Sequence, residues 1–87
     1  MIDSTLRYRV NPSGVVHEEI EGETIVIALA QGSYFSLGGS APAIWARLVS
    51  GAAAAEIVTA FEGGSEVREA VQDLLERLAA EGLIVAA

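Results

Sequence analysis

The stretch from residue 33 to residue 51 reads SYFSLGGSAPAIWARLVSG, and the spacing of its apolar residues changes at Gly38-Gly39. Before this glycine pair, side chains alternate in polarity, which is typical of a strand with one buried face. After it, apolar residues recur every three or four positions, which is typical of a helix. The pattern predicts a strand-forming first half and a helix-forming second half.

Working back toward the N-terminus, the sequence contains further segments with the alternation or the β-branched composition of strands. With the strand just described, the predicted strands cover residues 6–10, 15–20, 24–30 and 33–37. Turn-forming residues separate them. Because no later segment is available to pair with residues 33–37, we expect that strand to form an edge of the sheet.

Working forward, three helices are predicted from N-caps, glycine stops and apolar stripes. Ser40 suits the N-cap of the first helix, in which Pro42 is tolerated in the first turn, and Ser65 suits the N-cap of the third. The apolar tail at residues 83–85 is expected to pack back on the body. The predicted helices cover residues 41–49, 53–62 and 66–81, and the predicted helical core comprises Ile44, Trp45, Leu48, Ile57, Phe61, Leu74 and Leu78.

The predicted fold class is α+β, a small three-stranded antiparallel sheet followed by three helices in a winged helix-turn-helix-like arrangement. A chain of 87 residues is one domain's worth, so we expect a single domain over residues 1–87. Its core must be small, because 15 of its apolar residues are alanines.

Composition excludes several classes of function. The chain has no cysteine and one histidine, which argues against thiolate metal sites, disulfides and most catalytic triads. Its net charge is −7, with five arginines and no lysine, so nucleic acid and anionic membranes are poor partners. No apolar stretch approaches the roughly 20 residues that span a bilayer, and no signal peptide is evident. We expect a cytoplasmic protein.

Residues that could carry catalysis occur only in fragments. Four glutamates, at positions 18, 19, 21 and 23, lie on the predicted hairpin, where solvated charge is usual. His17 is alone, and the glycine pairs lack the spacing of a phosphate-binding loop. We therefore expect neither enzymatic activity nor a cofactor.

The predicted edge strand favours a binding function. Natural edge strands usually carry lysine, proline or a bulge that prevents further pairing, and residues 33–37 carry no lysine or proline. An extended peptide could add to this edge as another strand, held by main-chain hydrogen bonds. A loop or a second copy of the chain could cover the edge instead, and the residues alone leave both readings open.

The run from Tyr34 to Gly51 resembles the middle of PqqD-like proteins, where a Tyr/Phe-x-Leu strand end leads to an Ile-Trp-x-x-Leu helix followed by a glycine. The resemblance extends from about Val15 to Val85. The flanking matches are Gly22 in the hairpin turn, Glu56-Ile57 in the second helix and Glu81-Gly82-Leu83-Ile84 after the third. One departure is Gly38, which stands where the family often has Asn after the strand.

This resemblance implies a recognition element for ribosomally synthesised and post-translationally modified peptides (RiPPs). Such a domain binds the leader segment of a precursor peptide as an added strand and delivers it to maturation enzymes, and the stand-alone lasso-peptide type works with a leader peptidase. In that type the leader typically presents a Tyr and a Pro a few residues apart. The implied site is the third strand of the hairpin sheet and the third helix.

The site residues expected on the strand and helix share the ability to pair with, or pack against, an added peptide. Val71 and Leu75 are expected as pocket walls, with Arg68 and Gln72 as polar contacts at the groove rim. The opposite helix flank, with Ala70, Asp73 and Arg77, stays open as an alternative. The complete predicted set is Ser33, Tyr34, Phe35, Ser36, Leu37, Arg68, Val71, Gln72 and Leu75.

Three other functions remain open at this point. The chain could be a PqqD-type chaperone for a radical SAM enzyme. It could be a winged-helix transcriptional regulator, whose DNA binding would weaken steeply with salt. It could also be a dimerisation module that pairs its free edge with its own copy.

Overall fold

The computed structural model describes residues 3, 5–61 and 64–87, in which four strands precede three helices and two further short strands follow the first and the third helix. The α+β class is therefore confirmed. In chain order the elements are β1 (Arg7–Val10), β2 (Val15–Ile20), β3 (Glu23–Ala28), β4 (Ser33–Leu37), α1 (Ala41–Ser50), β5 (Ala52–Ala53), α2 (Ala54–Ala60), α3 (Ser65–Ala80) and β6 (Ile84–Ala86).

The strands β2, β3 and β4 form an antiparallel sheet in that order, which we call the hairpin sheet. The turn between β2 and β3 has positive φ at both central residues, 51° at Glu21 and 82° at Gly22. Two-residue turns of this kind match the twist of paired strands. They also fix the register, which places Val16, Ile27 and Tyr34 in one row across the sheet.

A second sheet, of order β5-β1-β6, corrects the expected architecture, which had a single sheet. The first strand pairs with two segments from the second half of the chain, Ala52–Ala53 and Ile84–Ala86. Neither is long enough to show an alternating pattern, so periodicity could not reveal them. The tail does pack back on the body, as expected, and does so as a strand. The winged helix-turn-helix likeness stays a prediction.

The helices begin and end close to the predicted positions. Ser40 occupies the N-cap of α1 but makes no side-chain capping bond, since its φ and ψ of −87° and −8° are helical rather than extended. Ser65 is the first residue of α3, and Gly64 takes the N-cap position. The predicted second helix reached Glu62, which lies outside the described residues.

The core lies where the three helices meet the inner face of the hairpin sheet and the second sheet. Ile44, Trp45 and Leu48 of α1 are buried together with Ile57, as predicted. Leu78 is buried too, while Phe61 and Leu74 are only partly buried against this cluster. Val26 and Leu83 complete the centre of the core.

Among residues 3, 5–61 and 64–87, no helix has both the length and the apolar character needed to cross a membrane. In the same ranges, no group of three or more His, Asp or Glu side chains is placed to hold a metal ion.

Candidate functional site

Strand β4 lies at an edge of the hairpin sheet. It pairs with β3 on one side, and within residues 3, 5–61 and 64–87 no strand pairs with its other side. The strand carries no charged residue and no proline. Its outer edge is therefore free to accept a further strand.

The side chains of β4 alternate between two environments. Phe35 and Leu37 are partly buried and pack against the core, as expected from their spacing. Tyr34 is 73% exposed and Ser36 is also exposed, on the opposite face of the sheet. The Ser36 hydroxyl donates to Glu23 Oε1 at 2.6 Å across the pair of strands.

The hydrogen-bond pattern between β3 and β4 determines which backbone groups of β4 face outward. In antiparallel pairs, hydrogen-bonded and non-hydrogen-bonded residues alternate. The turn at Glu21-Gly22 makes the closing pair of residues hydrogen-bonded, so on β3 the groups of Val26 are directed at Phe35 of β4. The N–H and C=O groups of Tyr34 and Ser36 consequently point away from β3, toward the free edge.

A groove of about 430 Å³ runs between this edge and the C-terminal half of α3. The last four residues of β4 form one wall. The other wall is formed mainly by Leu74, Arg77, Leu78, Glu81 and Leu83. This wall is therefore mainly apolar. It also carries one positive and one negative side chain, Arg77 and Glu81, one helical turn apart.

The predicted helix residues lie elsewhere on α3. Val71 and Leu75 are buried in the core. Arg68 and Gln72 line a different depression, together with Val58 and Thr59 of α2. The groove is lined by the opposite flank of the helix, which includes Arg77, a residue that the sequence left open as an alternative.

The groove residues that the sequence did not indicate are Leu74, Leu78, Ala80, Glu81 and Leu83. Two of these leucines were assigned to the core, and both do contact it while also facing the groove. The sequence signal that could have indicated these groove residues is their spacing along one flank of α3, continued by Leu83 after the helix. The helical repeat predicts which side chains of α3 are buried. It does not predict which of the two flanks beside those buried side chains faces the edge of the sheet.

One ion pair outside the groove fixes the region around α2. Arg7 Nη1 donates to Glu56 Oε1 at 2.7 Å, and the same carboxylate oxygen accepts the backbone N–H of Ala53 at 2.9 Å. The Ala53 N–H and then the Arg7 guanidinium hold the pKa of Glu56 below its usual value. This pair ties β1 to the start of α2 and has no direct contact with the groove.

The family model described as coenzyme PQQ synthesis protein D (PqqD) matches residues 23–84, which include β4 and α3. A comparison with curated protein sequences gives no match. Among solved structures, TbiB1 in complex with the TbiA(beta) leader peptide is similar, with a TM-score of 0.76 and 30% sequence identity over 87% of this chain and 93% of that one. Since the family model covers most of the chain, the protein belongs to the PqqD family.

Proposed function

We propose that this protein is a non-catalytic RiPP recognition element that binds the leader segment of a precursor peptide along β4. The observation that carries the proposal is the free edge of β4 opening directly into an apolar groove. The similarity to TbiB1, which is solved with a leader peptide, supports it. The leader would become the fourth strand of the hairpin sheet.

The geometry of the edge indicates how the leader would be held. The outward N–H and C=O groups of Tyr34 and Ser36 would pair with its backbone, each hydrogen bond adding about 0.5–1.5 kcal/mol net. Leader side chains directed at the groove would meet Leu74, Leu78 and Leu83. These apolar walls suit aromatic or aliphatic leader residues, including the Tyr and Pro expected in lasso-peptide leaders.

Polar selection at the groove is assigned to Arg77 and Glu81, because both line it. Arg68 and Gln72 line a separate depression against α2, so the proposal gives them no direct contact with a leader in the groove beside β4. In the proposal, Val71 and Leu75 contribute by supporting the groove wall from inside the core. The strand residues Ser33, Phe35 and Leu37 complete the predicted site.

The partner that receives the leader is proposed to be the leader peptidase of a lasso-peptide pathway. The proposal includes a single cytoplasmic recognition domain over the whole chain, with a winged helix-turn-helix-like body and no cofactor. A radical SAM enzyme is the second candidate partner, favoured by the family description of coenzyme PQQ synthesis. Reconstitution with each enzyme separates them, because only the correct partner should process the precursor faster when this chain is added.

The test of leader binding uses proline at an outward-facing position. Ser36→Pro removes a donor from the free edge without removing a backbone hydrogen bond to β3, although the bond from the Ser36 hydroxyl to Glu23 is also lost. Phe35→Pro would break the internal ladder. Fluorescence polarisation with a labelled leader peptide that binds the parent protein, tried first with the TbiA(beta) leader, should show at least about tenfold weaker binding for Ser36→Pro, since 1.4 kcal/mol corresponds to a factor of ten.

A matched control is Glu19→Pro, which places proline at the opposite edge of the same sheet and should leave leader affinity unchanged. Circular dichroism verifies that both variants are folded. Leader binding to folded Ser36→Pro with the affinity of the parent protein would refute strand addition at β4.

A further inference from the structure

The hairpin sheet has a second free edge, at β2. The sheet order β2-β3-β4 leaves one side of β2 without a strand partner in the part of the chain that the structure describes. The backbone N–H of Leu29 donates to the Gly14 carbonyl at 2.8 Å, which sets the alternation along β2. The N–H and C=O groups of His17 and Glu19 therefore point outward.

A second groove, of about 380 Å³, lies beside this edge. We call it the β2–α1 groove. Its β2 wall includes His17, Glu18 and Glu19, and its α1 wall includes Trp45 and Val49. Val49 is 51% exposed, so the groove offers an apolar surface next to a row of free backbone groups. This is the combination that strand addition requires.

Trp45, which lines the β2–α1 groove, carries an unsatisfied polar group that is itself buried. Trp45 is 2% exposed, and its indole N–H has no hydrogen-bond partner. Buried donors are almost always paired, and an unpaired one is destabilising by about 1–3 kcal/mol. His17 packs edge to face on the indole, with ring centroids 5.5 Å apart, and it is itself exposed. Because the indole N–H is enclosed, a peptide in the groove would lie against His17 and the Trp45 ring without reaching the N–H itself.

The charge of the groove restricts what can occupy it. Glu18 and Glu19 line the groove, no arginine lines it, and neither glutamate forms an ion pair within the described ranges. A second copy adding its own β2 would bring glutamates opposite glutamates, which is destabilising. Nucleic acid is repelled for the same reason. A polypeptide with lysine or arginine beside its strand is attracted.

We infer that the β2–α1 groove is a second peptide-binding site, which takes an extended basic segment of a partner protein as a strand added to β2. The backbone of His17 and Glu19 pairs with the segment. Its lysine or arginine side chains on the groove face lie beside Glu19, those on the opposite face lie beside Glu18, and its main chain passes next to the Trp45 ring. The site is separate from the leader groove, at the opposite edge of the same sheet.

The test uses a synthetic eight-residue peptide of alternating threonine and lysine, acetylated and amidated, and the same peptide with glutamate in place of lysine. Trp45 is the single tryptophan of the chain, so its indole N–H gives one identifiable NMR resonance. We expect the lysine peptide to shift this resonance and the amide resonances of His17 and Glu19. The glutamate peptide should shift none of them.

A charge-matched pair of variants tests the role of the carboxylates. Glu18→Gln/Glu19→Gln should bind the lysine peptide about two- to fivefold more weakly, because the alternating lysines lie on one face of the added strand and lose the exposed carboxylate on that face. Glu66→Gln/Glu69→Gln removes the same charge from the exposed start of α3 and should bind like the parent. The inference is overturned if the lysine peptide shifts neither the indole nor the β2 amides, or if both double variants bind it equally.

The outcome is independent of leader binding at β4. Ser36→Pro should lose the leader and keep the lysine peptide, and Glu19→Pro should do the reverse. Loss of both ligands by either folded variant would overturn the assignment of two separate edges. A leader that shifts the β2 resonances and leaves those of Tyr34 and Ser36 unchanged would instead contradict the proposed function.

Discussion

Two adjacent residues of α3, Leu74 and Leu75, have different roles although their side chains are chemically identical. Leu75 is completely buried in the core. Leu74 is partly buried and lines the groove beside β4. One residue along a helix turns the side chain by about 100°, which is enough to move it from the core to the wall of a binding site. Replacing each in turn therefore separates stability from recognition.

We expect Leu75→Ala to lower the free energy of unfolding by about 2–5 kcal/mol, the usual cost of truncating a buried leucine. Leu74→Ala should have a smaller effect on stability and a larger effect on leader affinity at matched folded fraction. Urea denaturation and fluorescence polarisation give the two quantities. If Leu74→Ala left leader affinity unchanged, the α3 wall would have to be assigned to another flank.

At the scale of elements, the sequence predicted the strands and helices whose own residues show a clear polar and apolar pattern. The alternation in Ser33–Leu37 gave both the strand and its inward residues, and the stripe through Ile44 and Leu48 gave α1. Strand β5, of two alanines, has no pattern and exists because Arg7 and Tyr8 pair with it. Which flank of α3 faces β4 depends on packing between distant segments. The sequence therefore favoured Arg68 as a groove residue and left Arg77 as an alternative.

The start of α2 gives a prediction at this scale. Hydrogen bonds from Ala53 and Arg7 lower the pKa of Glu56, so its charged form stabilises the folded state. That stabilisation is complete above the unfolded pKa, about 4.3, and is lost as the pH falls through the lower folded value. We expect Glu56→Gln to reduce the melting temperature at pH 7 and to differ little from the parent at the acid end of the range.

An Arg7→Gln background provides the control for this prediction. The ion pair with Glu56 is already absent there, so Glu56→Gln should lower the melting temperature by less than it does in the parent. Thermal denaturation followed by circular dichroism between pH 3 and pH 7 would measure both differences. Equal effects in the two backgrounds would show that the pair does not act as a unit.

At the scale of the whole molecule, the second sheet joins the two ends of the chain and thereby supports the groove. Strand β1 pairs with β6, and the Asn11 N–H donates to the Leu83 carbonyl at 2.9 Å. Leu83 is buried and also lines the groove beside β4. The position of this wall therefore depends on pairing between β1 and β6 in the second sheet.

Proline substitutions in β6 test this dependence. The hydrogen bonds from Asn11 to Leu83 and from Ala87 to Arg7 make the Arg9–Val85 pair hydrogen-bonded, whereas the N–H of Ala86 points away from β1. Val85→Pro should therefore lower the free energy of unfolding by about 1–3 kcal/mol and weaken leader binding, because a ladder bond is lost and Leu83 is less constrained. Ala86→Pro should leave both nearly unchanged. Equal leader affinity for the two folded variants would show that the groove wall is held by α3 alone.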